Sequence, residues 1–511
     1  MDSIFDHGGF APCPAPFNMA AHVLALAGEL GDKTALSILH EDRTDDWSFH
    51  ALSRAVRGTA TGLRARGLDP GARVLLRLGN EVDFPIAYLG ALTAGLVPVP
   101  TAAGLTEPEV ARIIAGLSPG AILRDPAIAC PDDAAVIGLD DLRKMRSLPA
   151  AEWHMGDPER VGYIIYTSGT SGQPMPVVHA HRAIWARRMM HQGWYGIGVQ
   201  DRLCHAGAFN WTYTLGTGLM DPWSVGATAL IPAPGTDPAR LPALLKRHQA
   251  SIFAAAPGVY RQILKHHQKL DLPDLHHALS AGEKLSPTIR SRWHEATGGE
   301  IHEAFGMSEC STFISGCPAD PPQGESLGRP QPGRRVALLD ADGPVPLGQS
   351  GTIAIHRSDP GLMLGYLDAP EQTVARFQGD WFLTGDQGAM DAQGRITYEG
   401  RRDDMMNAGG FRVSPLEVEG ALAGFPGLEA VAAAEVTIKT DASVIAAFYT
   451  AACPLDEAAL RDYAGARLAR YKQPRLYIHL PALPTGANGK ILRRALREHY
   501  EVSDHGRPDQ A

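Results

Sequence analysis

Hydrophobic positions between residues 17 and 120 alternate between a helical period and a strand-like period. The helical spacing predicts one helix from Asn18 to Leu30 and another after Ser48, because Asn and Ser are favoured at helix N-caps. A strand is predicted at Arg73–Leu78. Such alternation with short connections is typical of an α/β domain with a largely parallel sheet. It resumes downstream, with strands predicted at Arg202–Ala208, Thr228–Pro232, Ile252–Ala256 and Leu275–Ala281.

A stretch without charged residues runs from Phe84 to Thr106 and is long enough to raise the question of a membrane span. Proline and glycine interrupt it repeatedly, which favours shorter elements. We interpret Phe84–Ala94 as a buried helix and Leu96–Val99 as a buried strand. The sequence therefore predicts no membrane span.

The loop Tyr166–Pro174 is rich in glycine and hydroxyl residues, and it follows a predicted strand at Val161–Ile165. A short strand at Val177-Val178 and a helix over His179–Met190 come next. Glycine lets backbone N–H groups turn inward and Ser/Thr hydroxyls add donors, so the loop can cradle phosphate oxygens. The spacing of the common Gly-x-x-x-x-Gly-Lys-Ser/Thr phosphate loop is absent. Taken alone, the loop leaves a flexible surface segment as the alternative.

The pattern changes between residues 325 and 400, where short β-rich runs alternate with turn signals. These runs, such as Arg335–Leu339 and Gly351–Ile355, predict a small antiparallel or barrel-like subdomain. The turn signals are Asp342-Gly343 and Gln393-Gly394. The polar segment 400–404 then separates this region from the rest of the chain.

The last hundred residues mix helical and strand patterns. Helices are predicted at Ser414–Ala423 and Asp456–Ala469, and strands at Ala430–Val436 and Ser443–Tyr449. The predicted fold is α/β: a large N-terminal domain of parallel-rich α/β layers with a β-barrel-like subdomain, and a small α+β C-terminal domain. The predicted boundaries are 1–400, a connection at 401–404, 405–500, and a polar tail over 501–511.

Composition narrows the class of protein. The chain has 511 residues, which favours two or more domains, and its net charge of −9 argues against a general nucleic-acid binder. The six cysteines are scattered without a Cys-x-x-Cys pair, as expected in a reducing compartment. The first residues lack the basic start and apolar run of a signal peptide, so we expect a cytoplasmic protein.

Four further motifs follow the loop in order. They are Ala304–Glu309 (AFGMSE), Leu383–Asp386 (LTGD), the pair Gly400–Asp404 (GRRDD) and Gly409–Arg412 (GGFR), and Pro484–Ile491 (PTGANGKI). Together with the loop, this set resembles the adenylate-forming superfamily of acyl- and aryl-CoA synthetases, luciferases and peptide-synthetase adenylation domains. The match covers nearly the whole chain. Five collinear motifs are far more specific than any one of them.

The resemblance implies roles for these residues in binding ATP. The β- and γ-phosphates would be held by Thr167, Ser168, Gly169, Thr170, Ser171 and Gly172. The adenine side would be formed by Ala281, Gly282, Glu283, Phe305, Gly306 and Met307. Ser308 would contact the α-phosphate, Glu309 would help to hold Mg²⁺, and Asp386 with Arg401 would bind the ribose.

The C-terminal motifs are implied to serve catalysis and domain movement. Lys490 would be the catalytic lysine, which contacts the substrate carboxylate and the α-phosphate. The small domain is implied to be mobile, with its hinge at Asp403. Coenzyme A would be bound by Gly409, Gly410 and Phe411. The acyl pocket would be lined by Trp211, Tyr213 and Ala304, with Trp211 and Tyr213 on one strand-like face; ordinary core packing is the alternative for these two aromatic residues.

The implied reaction joins a small-molecule carboxylic acid to coenzyme A through an acyl-adenylate, at the expense of ATP. The similarity leans towards benzoate-type and medium-chain acyl-CoA synthetases, hence an aromatic or short-to-medium-chain acid. Two alternatives stay open: adenylation that loads a carrier-protein thiol, and a protein that binds an adenylate without turnover. A homodimer is left open as its assembly.

One position departs from the family pattern. The loop usually continues Gly-Lys-Pro-Lys-Gly, whereas this chain has Gly172-Gln173-Pro174-Met175-Pro176. Losing a phosphate-facing cation predicts weaker ATP binding or slower adenylation. The candidates to replace it are His179, His181 and Arg182, although a histidine at such a place is more often a packed or capping residue.

Overall fold

The structure is a computed structural model that describes residues 1–133, 135–167, 175–401, 404, 406–408, 411–439, 442–468, 470–486 and 490–502. Several predicted site residues lie outside this part of the chain. They are Ser168, Gly169, Thr170, Ser171, Gly172, Asp403, Gly409 and Gly410.

The described strands alternate with helices through the first 300 residues and then follow one another more directly. In chain order they are β1 (Ile4–Asp6), β2 (Thr34–Leu39), β3 (Thr44–Ser48), β4 (Arg73–Arg77), β5 (Val97–Pro100), β6 (Ala121–Arg124), β7 (Val136–Gly138), β8 (Val161–Tyr166), β9 (Pro176–Ala180), β10 (Arg202–His205), β11 (Thr228–Pro232), β12 (Ile252–Ala255), β13 (His277–Ala281), β14 (Ile301–Met307), β15 (Ser311–Ser315), β16 (Ser326–Pro330), β17 (Arg335–Leu339), β18 (Ser350–His356), β19 (Gly365–Tyr366), β20 (Phe377–Gln378), β21 (Trp381–Met390), β22 (Ile396–Arg401), β23 (Met406–Ala408), β24 (Phe411–Val413), β25 (Leu428–Lys439), β26 (Ala442–Ala451) and β27 (Leu476–His479).

The described α-helices are α1 (Met19–Val23), α2 (Ala27–Leu30), α3 (Phe49–Ala65), α4 (Asp83–Ala94), α5 (Glu107–Leu117), α6 (Leu139–Met145), α7 (Ala183–Ala186), α8 (Arg188–Met190), α9 (Asp221–Val225), α10 (Leu241–Arg247), α11 (Pro257–His266), α12 (Pro287–Thr297), α13 (Pro370–Val374), α14 (Pro415–Leu422), α15 (Glu457–Gly465) and α16 (Arg493–Val502). Wider π-helical turns occur at His191–Tyr195 and Thr214–Met220, and 3₁₀ turns at Pro238–Arg240 and Arg470–Lys472.

A parallel sheet forms the centre of the large domain. Its strands lie in the order β2, β11, β10, β12, β13 and β14, and each neighbouring pair is parallel. Every residue of β11, β12 and β13 is buried, because helices and neighbouring segments cover both faces. The strand predicted at Thr228–Pro232 is confirmed residue for residue.

A second parallel sheet, β5-β4-β6-β7, lies beside α4. Every residue of α4 is buried, and it packs against α3 and α1. The uncharged stretch is therefore a core helix followed by a strand, as predicted. Among the helices that the structure describes, none has the length and apolar character needed to cross a bilayer.

The antiparallel subdomain continues the hydrogen-bonded path of the central sheet. From β14 the path runs through β15, β16, β22, β21, β18, β17 and β1, with antiparallel pairing throughout. The turn signals fall at its hairpins. Gly343 and Gly394 have φ of 132° and 76°, which glycine adopts without steric cost.

The predicted phosphate loop connects the two antiparallel strands β8 and β9, with Ile164 opposite Val178. The third strand of this small sheet is β19, in which Tyr366 pairs with Val177. The C-terminal domain is built on the sheet β25-β26-β27, with α14, α15 and α16 beside it. Its predicted helices and strands are confirmed within a few residues.

Three local predictions of secondary structure differ from the structure. The helix predicted over His179–Met190 is wrong at its start, because His179 pairs with Tyr163 and belongs to β9; only the short helices α7 and α8 follow. The helix predicted from Asn18 to Leu30 is two short helices, because hydrogen bonds of i−3 spacing from Ala25 and Ala27 form a turn between them. Asn18 does cap α1, accepting from the N–H groups of Ala20 and Ala21. At the other end of the chain, α16 reaches Val502, past the start of the predicted tail.

Candidate active site

A cleft between the large domain and the C-terminal domain brings the motifs together. The predicted site residues that line it are Thr167, Trp211, Gly282, Glu283, Ala304, Phe305, Gly306, Met307, Ser308, Glu309, Asp386, Arg401 and Lys490. Small residues at the carboxyl ends of parallel strands leave room there, since Ala281 ends β13 and Ala304 lies near the end of β14. Crevices at such strand ends are where α/β folds bind ligands. Ala281 itself is buried in the adjoining core.

Glu309 is held in place by two contacts. The hydroxyl of Tyr366 donates to Glu309 Oε1 over 2.7 Å, and the backbone N–H of Met363 donates to the Glu309 carbonyl over 2.8 Å. Burial and the neighbouring carboxylate both raise the pKa of Tyr366, so it stays a neutral donor. Glu309 lines the cleft with its carboxylate oriented by Tyr366.

Ser308 is fixed through its backbone. The ring of His179 stacks on Tyr163 with centroids 4.7 Å apart, and its Nε2 donates to the Ser308 carbonyl over 2.7 Å. Burial lowers the pKa of His179 to about 4, so the ring is neutral at pH 7. β9 thus links the loop exit to the Ser308–Glu309 turn.

The expected replacement of the loop lysine by His179, His181 or Arg182 is wrong. His179 is neutral and occupied with Ser308, and burial lowers the pKa of His181 to about 3 while its Nδ1 accepts from the Met19 N–H. Arg182 donates to the Glu159 carboxylate over 2.7 Å and to the Leu362 carbonyl over 3.0 Å. All three side chains face the protein rather than the cleft.

Asp386 and Arg401 meet because β21 and β22 form an antiparallel hairpin that places them opposite each other. Arg401 Nε lies 3.9 Å from Asp386 Oδ1, and the Tyr398 hydroxyl donates to the same oxygen over 2.9 Å. Burial raises the pKa of Asp386, and the charges of Arg401 and other cations oppose this effect. The carboxylate is nearly covered by protein yet borders the cleft.

Lys490 is supplied by the C-terminal domain and is an exposed residue within the cleft. The surrounding walls still remove enough water to lower its pKa, while the negative charges of Glu283, Asp386 and Glu309 act to raise it. Burial raises the pKa of Glu283, which Lys490 and Arg261 act to lower. The ammonium group of Lys490 is thus influenced by the carboxylates of Glu283, Asp386 and Glu309, which come from three separate segments of the chain.

Phe305 and Gly306 form part of the cleft wall. Phe305 packs edge-on against Phe313, with centroids 5.4 Å apart, and at a tilt against Tyr398 at 5.5 Å. A Cβ on Gly306 would lie 2.2 Å from the Ser311 carbonyl oxygen, so the close pairing of β14 with β15 requires glycine there. Phe305 lines the cleft while these two rings hold it in place.

The two aromatic residues predicted to line the acyl pocket, Trp211 and Tyr213, contact each other. Trp211 packs directly on Gly282, where an added Cβ would lie 2.5 Å from its ring. Tyr213 stands edge-on to Trp211 at 5.1 Å and stacks on Trp194 at 5.7 Å, and its hydroxyl donates to the Leu279 carbonyl over 3.2 Å. Its predicted place on a strand-like face is wrong, because the chain enters a helical turn at residue 212. Tyr213 is therefore buried in the adjoining core, whereas Trp211 lines the cleft.

Three residues that contact this site were missed by sequence reasoning: Tyr366, Tyr398 and Arg376. Tyr398 could have been found, since the Gln393-Gly394 turn signal implies a hairpin that carries both Asp386 and Arg401. Tyr366 and Arg376 lie between two motifs and carry no local signal. Phe411, predicted to bind coenzyme A, lies in β24.

Comparison with known proteins decides the family. The sequence profile of the family described as "AMP-binding enzyme" matches residues 25–367, more than half of the chain. The chain belongs to the AMP-binding enzyme family. It is 31% identical to the benzoate–CoA ligase of Thauera aromatica, with 97% of this chain and 99% of that protein covered.

Solved structures of this family have the same fold. A crystal structure of the anthranilate CoA ligase AuaEII in complex with anthranoyl-AMP matches with a TM-score of 0.87 at 26% identity, covering 95% of this chain and 98% of that one. A benzoate CoA ligase from Burkholderia xenovorans LB400 matches with a TM-score of 0.82 at 27% identity, covering 94% and 100%. The predicted family, fold class and AMP-forming acid–thiol ligase class are confirmed. ATP and coenzyme A are substrates of CoA ligases in this family.

Proposed function

We propose that this AMP-binding enzyme joins an aromatic carboxylic acid of modest size to coenzyme A through an acyl-adenylate. The observation that carries the proposal is the convergence of Lys490, Glu309 and Asp386 on one cleft, which Trp211 also lines. The names of the benzoate and anthranilate CoA ligases support the choice of acid.

In the first step a carboxylate oxygen of the acid attacks the α-phosphorus of ATP. The bond from that phosphorus to the β-bridging oxygen breaks, and pyrophosphate leaves with its electron pair. Lys490 offsets the repulsion between the two anions and stabilises the charge that develops on the α-phosphate oxygens. Ser308, whose backbone His179 fixes, would contact the same phosphate.

The nucleotide would be held by the groups already placed along the cleft. Asp386, with Arg401 beside it, would accept hydrogen bonds from the ribose hydroxyls. The adenine would stack on Phe305. Gly282, Glu283, Gly306 and Met307 would border the adenine and the ribose. The loop Thr167–Gly172 would enclose the β- and γ-phosphates.

Mg²⁺ fits the residues present. Among the described residues no group of three or more His, Cys, Asp or Glu side chains is arranged to hold a metal. Mg²⁺ bound to a nucleotide needs few protein ligands, because phosphates and water supply most of its oxygens. Glu309, oriented by Tyr366, would provide one carboxylate oxygen, and the ion would neutralise phosphate charge.

In the second step the sulfur of coenzyme A attacks the acyl carbonyl carbon, AMP leaves as the C–O bond breaks, and the thiol proton passes to solvent. We propose that the C-terminal domain, residues 405–500, turns about a hinge at 401–404 that includes Asp403. The turn would withdraw Lys490 and bring Gly409, Gly410 and Phe411 to the coenzyme A channel.

The unpaired cysteines support a cytoplasmic setting for the protein. The homodimer stays a prediction.

The pocket supports a short, flat acid. Ala304 contributes only a small side chain to the cleft wall, and the Trp211 ring on that wall is backed by Tyr213. An aromatic ring fits between such walls, whereas a long acyl chain would have to displace buried rings.

A pyrophosphate-release assay over an acid panel tests the proposal. Benzoate, 2-aminobenzoate, hexanoate and palmitate are supplied with Mg²⁺ and ATP, with or without coenzyme A. We expect release to require an acid and to be fastest with the aromatic acids, and thioester to form when coenzyme A is present. ATP binding without release for any acid would favour the non-catalytic alternative. Thioester formation with a phosphopantetheinyl carrier but not with coenzyme A would favour the carrier alternative.

The rate of adenylation should decline at alkaline pH because Lys490 must be protonated. Its pKa is lowered from 10.5 by desolvation, so the charged form is lost at a lower pH than for an ordinary lysine. Lys490→Arg keeps its charge over this range, so its normalised rate should decline at a higher pH. The measurement is the pH profile of pyrophosphate release. Identical alkaline limbs for the two proteins would contradict this origin of the decline.

A further inference from the structure

Arg376 places a fixed positive charge at the wall of the cleft. Its Nη2 donates to the Thr384 carbonyl over 2.7 Å, and its guanidinium lies 5.3 Å from the centre of the Phe382 ring. Its Nε is buried and has no hydrogen-bond partner. Within the described part of the chain, no carboxylate lies within ion-pair distance of it.

A short stretch of chain connects Arg376 to the exit of the predicted phosphate loop. The Leu367 N–H donates to the Pro176 carbonyl over 2.9 Å, which joins the segment after β19 to the residue after Met175. Thr373, at the end of α13, accepts from the Tyr366 N–H over 3.0 Å. Arg376 follows α13 by two residues, so one short stretch joins the loop exit, Tyr366 and Arg376.

Arg376 also lies close to the segment that carries Asp386. Its Nη1 would be 3.7 Å from a Cβ on Gly385, the residue before Asp386. Its charge acts on Asp386 on one side and on Tyr366, the partner of Glu309, on the other. A polyanion that extends from Asp386 towards Glu309 would pass within reach of this guanidinium.

Three of the other cations on the cleft wall have carboxylate partners. Arg401 pairs with Asp386, and Lys284 and Arg290 both pair with the buried Glu303. A fixed charge without a counter-ion attracts an anionic ligand into the cleft. A guanidinium is well suited to phosphate, because its planar N–H fork can donate two parallel hydrogen bonds.

We propose that Arg376 binds the triphosphate of ATP and supplies the positive charge that the family pattern places at position 175, where this chain has methionine. This inference rests on the proposed ATP-dependent reaction. It explains how the nucleotide site keeps a phosphate-facing cation although His179, His181 and Arg182 are occupied elsewhere.

Equilibrium binding of ATP and of AMP to Arg376→Ala, in the absence of any acid, tests the assignment. We expect ATP binding to weaken about tenfold or more, as for loss of a hydrogen bond to a charged group, with AMP binding changed less than about twofold. Arg376→Lys should recover most of the ATP affinity. Arg376→Gln, which keeps a long side chain over Phe382, should reproduce the selective loss of ATP affinity even if the alanine variant is unstable.

Moving the charge gives a second, independent readout. Met175→Lys in the Arg376→Ala background should restore the preference for ATP over AMP, because it returns a cation to the same phosphates. The matched control is Arg357→Ala: Arg357 lies 5.1 Å over the Phe377 ring of the same hairpin but pairs with Asp380. We expect that control to bind both nucleotides like the wild type.

Equal weakening of ATP and AMP, or unchanged ATP binding, would overturn the role of Arg376 and reduce it to a contact that stabilises the hairpin. These outcomes are separate from the fate of the proposed function. If the wild type binds ATP but releases no pyrophosphate with any acid, the ligase proposal fails, while the ATP-to-AMP comparison still decides on Arg376.

Discussion

Lys490→Ala should lower the rate of pyrophosphate release by about 10²- to 10³-fold, the loss typical when one preorganised charge at a reacting centre is removed. Among the cations lining the cleft, Lys490 is the one whose pKa responds to Glu283, Asp386 and Glu309 together. Its charge matters most when the carboxylate reaches the α-phosphate, so the effect should fall on kcat rather than on ATP binding. Single-turnover pyrophosphate release with benzoate measures it.

The second half-reaction provides the internal control for this variant. Lys490→Ala supplied with benzoyl-adenylate and coenzyme A should form the thioester at nearly the wild-type rate, since the proposed domain turn withdraws the lysine before that step. Lys144→Ala removes an exposed lysine that pairs with Asp141, and it should leave both steps unchanged. Wild-type adenylation by Lys490→Ala would show that this lysine is not catalytic.

Much of the fold could be predicted because its strands carry strong local signals. Thr228–Pro232 is a fully buried parallel strand, so its sequence is a continuous apolar run with clear ends. The uncharged helix α4 was predicted for the same reason. The helix predicted over Asn18–Leu30 failed, because helical spacing does not reveal a turn that forms when both short helices pack into one core.

The candidate site could be predicted only where residues belong to a motif. Lys490 and Asp386 were found by resemblance, whereas Arg376 was missed because its importance comes from hydrogen bonds between chain segments distant in sequence. Tyr213 illustrates the opposite error. Two aromatic residues at alternate positions are typical of a strand, but here Trp211 precedes a helical turn that Tyr213 enters.

The buried ion pair between Arg187 and Asp221 underlies the second large effect. Arg187 Nη2 lies 2.6 Å from Asp221 Oδ2, and the side chains are 8% and 1% exposed. The Tyr195 hydroxyl donates to the same carboxylate oxygen over 2.7 Å, and Arg187 also donates to Ser311. Ser311 has a φ of 66° and stands two residues after Glu309, so the pair supports the turn that carries the proposed metal ligand.

Asp221→Ala should lower the free energy of unfolding by about 3–5 kcal/mol, because it leaves the Arg187 charge buried without a counter-ion. Urea unfolding followed by tryptophan fluorescence measures this loss of stability, because Trp194 and Trp223 are fully buried near the pair.

Asp271→Ala is the matched control: Asp271 pairs with Lys246 but is 79% exposed, so its loss should cost less than about 1 kcal/mol. Replacing both partners, as Arg187→Met with Asp221→Leu, should recover much of the stability, since no charge is then buried alone. If Asp221→Ala unfolds at the same urea concentration as the wild type, the ion pair does not stabilise the fold. The turn after Glu309 would then be held by the close packing of Gly306 against Ser311 and not by the ion pair.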